Sequence, residues 1–179
     1  MYFNRKRNRL KNFDYSQGGC YFVTICTNNR VSYFGEIKNG EMILNKFGKI
    51  VNEQWFWLQK QYDYVFLDVQ IVMPNHFHGI IAINNPIGDI GIRSSDTKIK
   101  SLSSLIGAFK TTSAKLIRNN GLVDFKWQKS FYDRIIRNEK EYYNIQGYIF
   151  ENPKRWEFDI ENKFNKRIEI QYYEKILKK

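Results

Sequence analysis

A chain of 179 residues, 42% hydrophobic and 17% aromatic, is long enough for one domain with a real core, which excludes a disordered segment. Twenty-nine Lys and Arg against 18 Asp and Glu leave a net charge of +11, so a polyanion such as nucleic acid is the partner class that the charge favours. No run approaches the roughly 18 apolar residues of a membrane helix, and the basic start at residues 1–11 lacks a signal peptide's apolar stretch, so the expected location is the cytoplasm with no membrane partner.

Residues 20–27 are β-branched and aromatic and end at Asn28-Asn29, which reads as a first strand. Cys20 and Cys26, the chain's two cysteines, would sit about 20 Å apart along it at ~3.3 Å per residue, too far to bridge, and read as ordinary buried thiols. A short hairpin is expected from residues 31–37 and 41–44, because Asn39-Gly40 supplies a positive-φ turn. Asn45 is placed to cap a helix whose apolar positions Phe47, Ile50, Val51, Trp55 and Leu58 recur at three- and four-residue intervals.

Residues 64–73 and 77–83 read as two further strands around a corner at Pro74-Asn75. Directly after that corner comes His76-Phe77-His78, which contains every histidine of the chain. A strand alternates its side chains, so both imidazoles point one way and Phe77 the other, making a candidate half metal site. The bland alternative is a pair of hydrogen-bonded histidines with no ligand.

Residues 84–100 are rich in helix and strand breakers and read as a loop. Ser101 then caps a second helix, with Leu102, Leu105, Ile106, Phe109, Leu116 and Ile117 on one face and Lys110 and Lys115 away from it. Residues 127–137 read as an extended stretch. Asn138 opens a third helix with Glu141 at the capping-box position, and Asn152-Pro153 closes it. This order predicts an α+β fold, a ferredoxin-like antiparallel sheet with helices packed on it. Residues 1–158 read as a single domain, and 159–179 as a charged C-terminal tail with helical spacing near residues 168–177.

On the third helix Tyr148 and Asn152 are four residues apart and share a face, although Tyr148 could equally belong to an aromatic stripe with Tyr142 and Ile145. Taken together, the segments Met73-Pro74-Asn75-His76-Phe77-His78-Gly79-Ile80-Ile81, Ser101-Leu102-Ser103-Ser104-Leu105-Ile106, Trp127-Gln128, Ile135-Ile136-Arg137-Asn138-Glu139-Lys140 and Tyr148-Ile149-Phe150-Glu151-Asn152-Pro153 resemble the single-tyrosine HUH transposases, most closely their REP-associated branch. The resemblance spans roughly residues 15–158. It implies that 1–158 is the catalytic domain, that His76, His78 and Asn152 hold a divalent metal, Mg²⁺ or Mn²⁺, and that Tyr148 is the nucleophile. Relaxases would show a third histidine downstream, and replication initiators a lysine where this chain has Glu151; both departures favour the transposase branch.

The implied activity is metal-dependent nicking and rejoining of single-stranded DNA through a 5′-phosphotyrosine, at hairpin-forming or palindromic repeats, by a monomer or homodimer. Arg5, Lys6, Arg7, Arg9, Lys110, Lys115, Arg134 and Arg137 are candidates for a basic groove along the DNA backbone. Two other readings fit the same charge: a non-catalytic single-stranded nucleic-acid-binding protein, and a decayed transposase that binds repeats without moving.

Overall fold

In the computed structural model, which describes residues 18–83 and 99–162, the β-branched stretch at the start forms β1 (Gly19–Cys26). The hairpin follows as β2 (Gly35–Lys38) and β3 (Glu41–Leu44), turning at Asn39 and Gly40 with φ of 53° and 75°, the left-handed pair that a two-residue turn requires. Asn45 Oδ1 accepts from the N–H groups of Phe47 (2.9 Å) and Gly48 (3.1 Å), and α1 (Lys46–Gln61) starts there.

β4 (Val65–Val72) and β5 (His76–Ile83) run antiparallel around Met73-Pro74-Asn75, with the Met73 N–H donating to the His76 carbonyl at 2.8 Å. α2 (Leu102–Asn119) is capped by Ser101 as expected. The stretch read as extended from 127 narrows to β6 (Tyr132–Ile136), with Trp127 forming only an isolated bridge to Thr27. Here the sequence pattern was overridden by tertiary anchoring: the Trp127 indole N–H donates to Ser113 Oγ at 3.0 Å, and the Lys110 ammonium holds the carbonyls of Gln128 and Lys129 at 2.6 and 3.0 Å. α3 (Glu139–Glu151) begins at Asn138, whose Oδ1 accepts from the Glu141 N–H, and leads into a 3-10 helix (Pro153–Phe158).

The four long strands form one sheet in the order β4-β5-β1-β6, every neighbouring pair antiparallel. With α1 between β1 and β4 and α2 between β5 and β6, this is the ferredoxin-like plan, and β2 and β3 are an insertion with their own pairing. Alternation along the strands sends Tyr21, Val23, Ile25, Phe77 and Ile81 to the face covered by α1 and α2, where they meet Trp55, Leu58 and Phe109. Gly79 lets that layer close, since a Cβ there would come within 2.8 Å of Trp55 Cζ2.

The opposite face carries Phe22 and Ile80, which pack with Ile145, Tyr148 and Ile149 of α3. The Tyr142 hydroxyl donates to the Asp68 carboxylate and ties α3 to the edge strand β4. Residues 84–98, the segment carrying Arg5, Lys6, Arg7 and Arg9, and the predicted helical stretch at 168–177 lie outside the described residues.

Candidate metal and tyrosine site

His76 and His78 are the first and third residues of β5 and lie on the α3 side of the sheet, so strand periodicity alone brings their rings together, centroids 4.4 Å apart. His78 stacks on Phe22 of β1 at 5.3 Å, and Phe22 in turn meets the Tyr148 ring edge-on at 6.0 Å. α3 is laid across this face by Ile145 and Ile149, which leaves the Tyr148 hydroxyl 3.2 Å from His78 Nε2. One helical turn on, Asn152 reaches the same place. His76, His78, Tyr148, Asn152 and Asp159 are all at most 3% exposed.

The hydrogen bonds around the rings decide which nitrogens carry lone pairs. Asn75 Nδ2 donates to the carbonyls of Arg30 (3.1 Å) and Glu161 (2.7 Å), so its Oδ1 is the atom facing His76 Nδ1 at 2.8 Å. His76 Nδ1 must therefore carry the proton, and Nε2 presents a bare lone pair to the site. His78 Nδ1 lies 2.9 Å from Thr24 Oγ1, with the Val23 carbonyl also favouring a proton on that ring, which leaves Nε2 to accept from Tyr148. Burial pushes the His76 pKa down to about 3, assisted by the Arg30 charge and opposed by Asn152. Burial and then His76 itself hold His78 well below its ordinary range, against the pull of Asp159. Both imidazoles are neutral at pH 7, the state a metal needs.

Two buried acceptors, His76 Nε2 and Asn152 Oδ1, have no hydrogen-bond partner. Orphaned acceptors in a buried pocket of neutral imidazoles are what a cation site looks like before its ion is considered. Asp159 adds a carboxylate: its ligand atoms and those of His76 and His78 all lie within 4.8 Å of one another, the one such group among the described residues. Asp159 Oδ2 accepts from Asn152 Nδ2 at 3.0 Å, fixing the amide so that Oδ1 is its free end. Two imidazoles, an amide oxygen and a carboxylate suit a divalent ion such as Mn²⁺ or Mg²⁺.

Asp159 was missed by the sequence reading, which placed residues 159–179 in a tail. The residues that close the site were missed with it. Trp156 covers His76 at 5.9 Å between centroids, and Glu161 pairs with Arg30 at 2.6 Å while accepting from the Cys26 thiol at 3.4 Å. Burial raises the Glu161 carboxyl, an effect Arg30 opposes, and burial and Glu161 push the Cys26 thiol upward, so that cysteine stays protonated and inert.

The candidate DNA-contacting cations separate into different roles. Lys110 is half-buried with its ammonium on two carbonyls, and Arg134 pairs with Glu141 at 3.1 Å, fastening the first turn of α3 to β6. Lys115 and Arg137 are exposed.

The chain is 36% identical over 165 residues to an uncharacterized protein of Haemophilus influenzae, covering 87% of this chain and 92% of that one. It is 27% identical over 145 residues to another H. influenzae protein, named as a REP-associated tyrosine transposase, covering 78% of this chain and 73% of the relative. A solved REP-associated tyrosine transposase bound to a REP hairpin shares the fold with a TM-score of 0.57 at 21% identity, over 87% of this chain and 74% of that one. No family profile matches the chain. Among the described residues, no helix is long and apolar enough to cross a membrane.

Proposed function

We propose that this chain is a REP-associated tyrosine transposase, as its 27%-identical relative is named, and that it nicks and rejoins single-stranded DNA with Tyr148 as the nucleophile. The observation that carries the reading is the Tyr148 hydroxyl 3.2 Å from His78 Nε2, beside the unpartnered acceptors of His76 and Asn152. One chain supplies the tyrosine, both histidines, the amide and the carboxylate.

A Mn²⁺ or Mg²⁺ ion held by His76, His78 and Asn152, with Asp159 beside them, would polarise the scissile phosphate as a Lewis acid. Tyr148 Oη then forms a bond to phosphorus as the bond to the 3′ oxygen breaks; the phenol loses a proton and the leaving oxygen gains one as a free 3′ hydroxyl. The 5′ phosphate stays on Tyr148. A 3′ hydroxyl attacking that phosphotyrosine reverses the exchange, so no external energy source is required. Phe22 and the α3 packing hold the phenol in line, which is where positioning lowers the barrier.

Tyr148 is 3% exposed, so a phosphate reaches it only when the groups packed around the phenol give way. The hairpin carried by the solved relative makes a palindromic repeat the substrate to try first. Labelled single-stranded hairpin DNA from the chain's own genomic flank, incubated with Mn²⁺ and resolved on a denaturing protein gel, should give a covalent adduct with the native chain. EDTA should remove it, and Tyr148→Phe should show none while retaining DNA binding. An adduct of equal yield in Tyr148→Phe would overturn the assignment.

A further inference from the structure

Beside the site, at the free edge of β4, lies a pocket of about 380 Å³ that the chemistry above does not use. Its walls come from the β2–β3 hairpin, from Asn52 of α1, from Gln70 and Ile71 of β4, from Phe150 of α3, and from Pro153 and Lys154 of the 3-10 helix that follows. It adjoins the tyrosine site directly, because Ile71 is the register partner of His78 and Pro153 follows Asn152. The volume falls within the roughly 300–1,000 Å³ of small-molecule pockets.

The lining has a specific chemistry. Phe150 is an aromatic ring left 65% exposed, next to the exposed ammonium of Lys154. Gln70 Nε2 donates to Asn52 Oδ1 at 2.7 Å, which locks both amides and leaves Gln70 Oε1 as an acceptor and Asn52 Nδ2 as a donor. Glu41 adds a carboxylate to the wall, which repels a phosphate from the interior but accepts from an amino group. A stacking ring, a fixed donor–acceptor pair and one cation at the rim match an unpaired nucleobase with its phosphate outside.

We propose that this pocket takes one unpaired base of the DNA strand, adjoining the phosphate that Tyr148 attacks, and that it selects bases with an amino group beside a ring-nitrogen acceptor, adenine or cytosine. The proposal rests on the nicking and rejoining activity for the identity of the strand, and the test separates the two.

Fluorescein-labelled single-stranded DNA copied from the genomic flank is titrated by anisotropy, with each unpaired nucleotide in turn made abasic, against the native chain and Phe150→Ala. In the native chain one position should lose affinity roughly tenfold, the scale of losing one stacked base. In Phe150→Ala that position should become insensitive while the others are unchanged. If no position stands out, or the same position is equally sensitive in Phe150→Ala, the pocket holds no base. The Mn²⁺-dependent adduct is scored on the same DNA: a position effect without adduct sinks the nuclease reading and leaves the pocket standing, whereas adduct without position effect does the reverse.

Discussion

The two faces of β5 are built from alternate residues of one strand and differ in almost every physical respect. Phe77, Gly79 and Ile81 look into a mainly apolar layer, where Phe77 packs against the rings of Trp55 and Phe109. His76 and His78 look into a layer of polar groups in which two acceptors lack partners. One side holds the strand in place so that the other can keep unpaired lone pairs buried, a state costing about 1–3 kcal/mol per unsatisfied group. Damage to the first face should therefore appear as lost stability, and damage to the second as lost metal binding and chemistry in a folded chain.

The sharpest break in that comparison is Tyr148→Phe, which should remove adduct formation entirely and leave the melting transition within a few degrees of the native chain. Phe77→Ala, one residue from the histidines but on the apolar face, should destabilise by about 3–5 kcal/mol, the cost of emptying a buried aromatic position. A denaturant titration checks it; a loss below about 1 kcal/mol would mean that the two faces do not divide the work as described.

Asp159→Asn should weaken Mn²⁺ binding about 10- to 100-fold in a calorimetric titration, because the carboxylate near the histidines and its hold on the Asn152 amide are both altered. The smallest effect is expected from Glu161→Gln, which weakens the contact with Arg30 that helps to keep the site covered. A part-exposed ion pair contributes on the order of 1 kcal/mol or less, so adduct formation should speed up by a few-fold. A slower adduct would show that Glu161 supports the site rather than closing it.

Much of this was legible because it is local in sequence. The cap residues Asn45, Ser101 and Asn138 stand where the chain begins each helix, and all three accept from the first-turn amides. The His76/His78 and Tyr148/Asn152 pairs follow from periods of two and four, and the structure brings Tyr148 to His78, although neither spacing states which strand faces which helix.

What escaped the sequence is held by long-range polar contacts. Asn75 looked like a corner residue, yet its side chain sets the His76 tautomer and reaches Glu161, 86 positions away. Asp159 sat in a stretch with charged-tail composition, and only the 3-10 helix after Pro153 carries it back under the histidines. Lys110 looked like a free cation because it lies off the apolar stripe of α2; the returning segment at Gln128 and Lys129 half-buries it.

Of the 12 tyrosines in the chain, the one proposed to take the phosphate is Tyr148, beside the two histidines. Mass spectrometry of the Mn²⁺-dependent adduct, after protease and nuclease digestion, tests it directly. The expected result is a nucleotide remnant on Tyr148 that is absent when EDTA replaces the metal. A remnant on Tyr132 or Tyr142, which pack in the same layer, or no modified tyrosine at all, would contradict it.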